Sequence, residues 1–163
     1  MLNKSDRSKA EVLNELDRYI DELCIKSRLS EAKKYMQHGR TTLFEHSISV
    51  AYCSVRVALA LRLPVDLQTL VRGALLHDYF LYDWHIKNPS RPLHGFYHPV
   101  AALRNAETEF ELNEIERNII LRHMFPLTPI PPVYLESILV CAVDKFCSIC
   151  EIMCRWRNSG NKL

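Results

Sequence analysis

A histidine and an aspartate stand side by side after an apolar run, in the stretch ALLHDYF at residues 74–80. An imidazole and a carboxylate are costly to bury unless they are paired, hydrogen-bonded or bound to a metal. His46 and His123 also fall on apolar stripes at helical spacing, and Asp144 interrupts the most hydrophobic segment of the chain. Imidazole nitrogens and carboxylate oxygens converging from several helices suit Fe, Mn, Co, Ni or Zn. The combined pattern favours a metal site in the core.

Each of these residues has a simpler interpretation when it is taken alone. A single core histidine is more often satisfied by a backbone carbonyl, and a single core aspartate by a helix N-terminus or a cation. Among the six cysteines, Cys147, Cys150 and Cys154 share a helical face and could also bind a metal. A structural zinc site usually takes four ligands, so we interpret these thiols chiefly as core packing.

Helices must bring these residues together, and the apolar periodicity predicts helices almost throughout. The segment NPSRPLHGFYHP, residues 88–99, is instead predicted to be a loop because of its three prolines. No segment requires a strand, so the predicted fold class is all-α, a single bundle of about six or seven helices. The first three predicted helices are one through Val12, Leu16, Ile20 and Leu23, one from Thr42 to about Leu61, and one capped by Asp66 and ending near His77–Asp78. The last three are a short helix with Pro99 in its first turn, one opened by Asn113 and Glu116, and one from about Val133 to Trp156.

Composition limits the classes of protein to which the chain can belong. Its 163 residues suit one domain with a sizeable core, and a 48% apolar content is that of an ordinary globular protein. The net charge is +2 with scattered basic residues, which argues against a surface for extended nucleic acid. No apolar run reaches the ~18 residues of a membrane span, and the N-terminus is too polar for a signal peptide. We therefore expect a cytoplasmic protein without a membrane partner.

The order His46, then His77-Asp78, then Asp144 resembles the H…HD…D signature of the HD-domain superfamily of metal-dependent phosphohydrolases. The segments TTLFEHSISVAYCSVRVA, LVRGALLHDYF and VDKFCSI are similar to its helices, so the resemblance covers roughly residues 38–154. It implies one HD domain over residues 1–163, with 1–37 as an N-terminal helical segment packed on it.

The resemblance also implies a set of ligands for one or two divalent metal ions. His98-Pro99 is similar to the His-Pro that opens a helix in members with two metals, although Met124 replaces a second histidine found there and a Gly-Tyr-Pro segment is absent. The chain is therefore not a close relative of the cyclic-dinucleotide phosphodiesterases. On this basis one metal takes His46, His77, Asp78 and Asp144, and Asp78 bridges to a second metal held by His98 and His123.

The activity implied is hydrolysis of a phosphate ester of a small molecule, with a nucleotide among the candidates, by a metal-activated hydroxide. The metal would be Fe, Mn, Co, Ni or Zn, with Mg also allowed, and Asp78 would be its bridging ligand. Lys145 and Arg122, each next to a proposed ligand, are candidates to hold phosphate oxygens.

For four other residues the sequence allows more than one role. His94 is a metal ligand, a phosphate contact or a loop histidine, and Asp83 is either a proton donor to the leaving group or, more simply, a helix cap. Arg40 and His38 contact phosphate or carry surface charge.

Two other functions are compatible with the same residues. An HD protein with two irons could be an oxygenase, and a non-catalytic HD module could bind a ligand for regulation. The sequence does not predict the substrate, the metal or the oligomeric state.

Overall fold

Seven helices and one small hairpin make up the described part of the chain, residues 9–38, 41–86 and 93–159 of a computed structural model. The all-α prediction is therefore confirmed. In chain order the elements are α1 (Lys9–Lys26), a 3-10 helix (Arg28–Lys34), β1 (Met36–His38), β2 (Thr41–Thr42), α2 (Leu43–Leu61), α3 (Leu67–Leu76), α4 (His94–Glu107), α5 (Glu114–Arg122) and α6 (Leu135–Ser159).

Three of these helices begin at the caps that the sequence indicates. Thr42 opens α2 with a capping box closed by Glu45, and Asn113 opens α5 in the same way with Glu116. The Asp66 side chain accepts a hydrogen bond from the Thr69 backbone at the start of α3. Because caps satisfy backbone N–H groups that the helix itself cannot, they fix where each helix starts.

The predicted loop over residues 88–99 is wrong at its C-terminal end, because α4 already begins at His94. Pro99 lies inside the helix rather than in its first turn, although it has no N–H to donate to the preceding turn. The His94 and His98 rings stack with centroids 4.6 Å apart, and His98 Nδ1 bonds the His94 carbonyl at 3.0 Å. These contacts between residues four apart hold the turn that the proline weakens.

The short hairpin of β1 and β2 was not predicted. Met36 pairs with Thr42 and His38 with Thr41, in antiparallel register with an irregularity between the two pairs. Strands of three and two residues are too short to show alternation in a sequence.

Helix α2 lies at the centre and packs most extensively against α3 and α6, while α5 packs against α3 and α6 in turn. Gly73 allows the close approach of α3 to α5, because a Cβ there would clash with the Ile119 side chain. The predicted inner residues Leu16, Ile20 and Leu23 of α1 are buried. The packing brings the ends of α3 and α5 to the same place as the middle of α6.

None of the described helices is both long enough and apolar enough to cross a membrane.

Candidate metal centre

The six predicted ligands come from five helices or helix ends and lie in two buried groups. His46, His77 and Asp144 form the first group, and Asp78, His98 and His123 form the second. The ligand atoms within each group lie within 4.8 Å of one another. Helical packing therefore brings together residues up to 98 positions apart in the chain.

The first group is centred on the Asp144 carboxylate in the middle of α6. His46 Nε2, from the first turn of α2, lies 3.0 Å from Asp144 Oδ1. His77 Nε2, from the residue that ends α3, lies 3.7 Å from the same oxygen. Two imidazole nitrogens and one carboxylate oxygen thus face a common point.

The second group is centred on Oδ1 of Asp78, the residue after His77. His98 Nε2 lies 3.1 Å and His123 Nε2 3.3 Å from this oxygen, and the two nitrogens are 2.8 Å apart. The other oxygen, Asp78 Oδ2, lies 3.4 Å from His77 Nε2 and 4.0 Å from His46 Nε2 in the first group. One carboxylate therefore touches both groups.

Backbone carbonyls fix which nitrogen of each ring faces the centre. His77 Nδ1 bonds the Ala74 carbonyl at 2.6 Å, and His123 Nδ1 bonds the Ile120 carbonyl at 2.8 Å. His98 Nδ1 bonds the carbonyl of His94 in the same way. Because a carbonyl only accepts, Nδ1 carries the proton, and the Nε2 of a neutral ring presents a lone pair.

These orientations leave lone pairs facing one another. His98 Nε2, His123 Nε2 and Asp78 Oδ1 are then three acceptors within 3.3 Å with no proton among them. His77 Nε2 and Asp78 Oδ1 are buried and have no hydrogen-bond partner. Such an arrangement is repulsive unless a cation or added protons occupy the centre. The donor set therefore fits divalent transition metal ions.

The pKa shifts within the cluster show the same demand for positive charge. Burial opposes the charged form of His46, but hydrogen bonds to Asp144 and Glu151 outweigh it and raise its pKa to about 9. Burial likewise opposes the charge of His77, yet the carboxylates of Asp78 and Asp144 raise its pKa well above 6.5. Burial favours a neutral Asp78, but His77, His123 and His98 hold its pKa well below 3.8.

Two residues outside the predicted set contact the ligands. Glu151, seven residues after Asp144 on α6, accepts from His46 Nδ1 at 3.0 and 3.2 Å. Gln37, on β1, donates from Nε2 to Asp78 Oδ2 at 2.6 Å and is buried. Carboxylates and amides in such positions orient the ligands of a metal and tune them.

The two predicted phosphate contacts are placed differently. Lys145 Nζ donates to the His123 carbonyl at 2.6 Å and the Cys141 carbonyl at 3.2 Å, and it lies 3.9 Å from Asp144 Oδ2. Arg122 lies in the last turn of α5, and no hydrogen bond or ion pair joins it to any of the six ligands. Lys145 therefore connects α6 to the end of α5 beside the cluster, whereas no hydrogen bond or ion pair connects the Arg122 side chain to it.

His94 lies outside both groups but contacts the second through a stack of rings. Its ring packs between those of Trp84 and His98, with centroids 5.0 and 4.6 Å away, and Tyr82 bonds its Nδ1 at 3.1 Å. Burial, reinforced by the charge of His98, lowers its pKa to about 4, so its ring is neutral at pH 7. Being the first residue of α4, it is not a loop histidine.

Asp83 is exposed and holds the next turn locally. Its Oδ1 accepts from the backbone and side-chain nitrogens of His85 at 2.9 and 3.0 Å, and these bonds lower its pKa. A carboxylate that stays ionised is a poor proton donor. Arg40 and the side chain of His38 lie outside the described residues.

Comparison with known families agrees with this geometry. The family model of the HD domain matches residues 43–149, about two thirds of the chain and a range that contains all six predicted ligands. The chain therefore belongs to the HD domain family, as the resemblance in its sequence predicted. A search of curated proteins and a search of solved structures each found no match.

Proposed function

We propose that this chain is a metal-dependent phosphohydrolase that cleaves a phosphate ester of a small molecule. The observation that carries the proposal is that buried imidazole nitrogens and a carboxylate oxygen face one another at 2.8–3.3 Å, while the Nδ1 atoms of the same rings are bonded to backbone carbonyls. Membership of the HD family supports the same reaction class.

His46, His77 and Asp144 would hold one cation and His98 and His123 a second, with Asp78 shared between them. The cations would supply a nucleophile at neutral pH, by lowering the pKa of water, and would offset negative charge on the phosphoryl group.

The protein's own residues contribute by fixing orientation in advance. The carbonyls of Ala74, His94 and Ile120 hold three rings with Nε2 inward, so no ring has to reorient when charge develops. Gln37 holds Asp78 from the side of the hairpin. Lys145, which uses two of its three N–H donors on carbonyls, adds a positive charge at the edge of the cluster.

The test begins with the metal content of the purified protein, followed by removal of metal and reloading with Fe, Mn, Co, Ni, Zn or Mg. Each form is assayed on p-nitrophenyl phosphate, bis(p-nitrophenyl) phosphate and a panel of nucleotides. We expect one or two ions per chain and hydrolysis of at least one substrate class. Asp78→Ala should lose metal and hydrolysis together, whereas Asp83→Ala, the same change at an exposed turn, should retain both.

Two results would overturn the proposal. A parent protein that binds no divalent ion would remove the site itself. A protein that binds ions but hydrolyses no phosphate ester would favour the non-catalytic module or, if it holds two irons and consumes O₂, the oxygenase.

A further inference from the structure

The outer face of α6 is apolar over the part of the helix whose side chains the structure describes. Between Leu135 and Cys154 eight positions are exposed, and none of them carries a charged or hydroxyl side chain. Six are large apolar residues that are 38–65% exposed. The eight, which we call the α6 stripe, are Leu135, Ile138, Ala142, Phe146, Ile149, Ile152, Met153 and Cys154.

The charged residues of this segment are all engaged within the chain. Glu136 accepts from the Asp66 backbone at 3.1 Å, Asp144 belongs to the candidate metal centre, and Glu151 bonds His46. Lys145 donates to carbonyls of α5 and α6. A helix at a protein surface normally shows the opposite pattern, with charge outward and apolar groups inward. This polarity indicates that the outer face of α6 is covered.

The stripe has the regular spacing of a helix–helix seam. Leu135, Ile138 and Ala142 are followed eleven residues later by Phe146, Ile149 and Met153. At ~100° per residue these six positions fall within an arc of about 80°, narrower than the apolar face of an ordinary surface helix. A repeat of eleven residues keeps the seam on one side of the helix with a drift of about 20° per repeat, which corresponds to a gentle right-handed supercoil. The seam is about 27 Å long at ~1.5 Å per residue.

The absence of charge on the α6 stripe indicates which kind of partner would cover it. Since the stripe carries no charge, the partner must offer an uncharged apolar helix of similar length, and a second copy of this chain offers one. In an antiparallel pair with its two-fold axis at the level of residue 144, the small Ala142 of one copy would face the large Phe146 of the other, and Leu135 would face Met153. Such self-complementarity is what a two-fold interface requires.

The available area is sufficient for a stable dimer. With roughly 150–250 Å² for each large side chain when fully exposed, the six exposed fractions amount to about 600 Å² per copy. Two copies together would bury about 1,200 Å², the lower limit for specific interfaces. We infer that the chain forms a homodimer in which the α6 stripes of two copies pack antiparallel.

The mass in solution tests the dimer. Sedimentation velocity or light scattering should give about 38 kDa for the parent, twice the 19.0 kDa of one chain. Phe146→Glu and Ile149→Glu should each give about 19 kDa with an unchanged circular dichroism spectrum, because each dimer would have to bury two carboxylates in the seam. Ile25→Glu, the same kind of change at an 84% exposed position on α1, should leave the dimer intact.

A charge exchange tests the antiparallel register. Ala142→Glu and Phe146→Lys should each give monomers, whereas the double variant should dimerise again because each new glutamate faces a new lysine. In a parallel pair like charges would face each other, and the double variant would stay monomeric. A monomeric parent at 100 μM, or a dimer that survives both Phe146→Glu and Ile149→Glu, would overturn the proposal.

Discussion

Replacing Glu151 by alanine should weaken metal binding although Glu151 is not among the proposed ligands. Its carboxylate accepts from His46 Nδ1 at 3.0 and 3.2 Å, which directs the Nε2 lone pair toward the cluster. When the carboxylate is removed, the buried His46 ring can adopt the other tautomer after it has released the proton that it must lose to bind a cation. Its Nε2–H would then donate to Asp144 Oδ1, 3.0 Å away, and block two ligand atoms at once.

The size of the effect follows from comparable positions in metal sites. Loss of a group that orients a ligand typically costs 10–100-fold in affinity, or about 1.4–2.7 kcal/mol. Glu151→Gln should cost less than tenfold, because the amide oxygen still accepts from Nδ1–H and keeps the productive tautomer. Isothermal titration of the metal-free variants with Zn²⁺ or Mn²⁺, in the presence of a competing chelator, measures both constants.

Glu136→Ala provides a matched control on the same helix. Glu136 is buried and accepts from the Asp66 backbone, so its loss should lower the melting temperature. It does not contact the cluster, and the metal affinity should stay within twofold of the parent. If Glu151→Ala also stayed within twofold, or lost no more affinity than Glu151→Gln, the proposed role of Glu151 would be refuted.

Three further outcomes are expected. His46 has a pKa of about 9 and must release its proton to bind a cation, so metal affinity should rise with pH up to about 9, by up to about tenfold per unit. Calorimetry in buffers of different ionisation enthalpy would detect the released proton. A metal affinity that stays constant from pH 7 to 9 would contradict the raised pKa of His46. Metal at ~1,000 times Kd should stabilise the parent by about 4 kcal/mol, which corresponds to a rise of ~8–16 °C in melting temperature. Asp78→Asn should abolish that rise without unfolding the chain. If metal raised the melting temperature of Asp78→Asn as much as that of the parent, the ion would bind elsewhere. Glu116→Ala should destabilise the fold by about 2 kcal/mol or more, since it removes a buried carboxylate that bonds Arg72 at 2.6 and 2.7 Å and closes the capping box of α5. Denaturant unfolding at constant metal content measures this loss, and a value below about 1 kcal/mol would contradict the prediction.

Local spacing predicted the helices, and together with the family resemblance it predicted which six polar side chains would come together. Helical periodicity places His46 and His123 on apolar faces, and the caps at Thr42, Asp66 and Asn113 are short-range signals. These signals survive packing because they arise within one turn of a helix.

The features that were missed depend on contacts between distant segments. Gln37 reaches Asp78 from a hairpin too short to be recognised, and nothing in its neighbourhood marks it as a partner 41 residues away. Glu151 had a usable signal, because it lies two helical turns after Asp144 and therefore on the same face. The start of α4 at His94 was not predicted because Pro99 was expected to lie in the first turn of the helix. The hydrogen bond that Pro99 cannot donate is offset by the contacts between His94 and His98.

The nesting of the two ligand groups along the chain has a consequence for the order of folding. The second group uses residues 78, 98 and 123 and lies entirely within the span of the first, which joins residues 46, 77 and 144. The second group can therefore assemble from the middle of the chain, while the first must wait for α6 to dock against α2. Closing a loop of 98 residues carries a large entropic cost in folding. A cation held by the first group would stabilise the closed loop once α6 has docked. Binding of a cation at the first group would thus indicate that α6 has docked against α2.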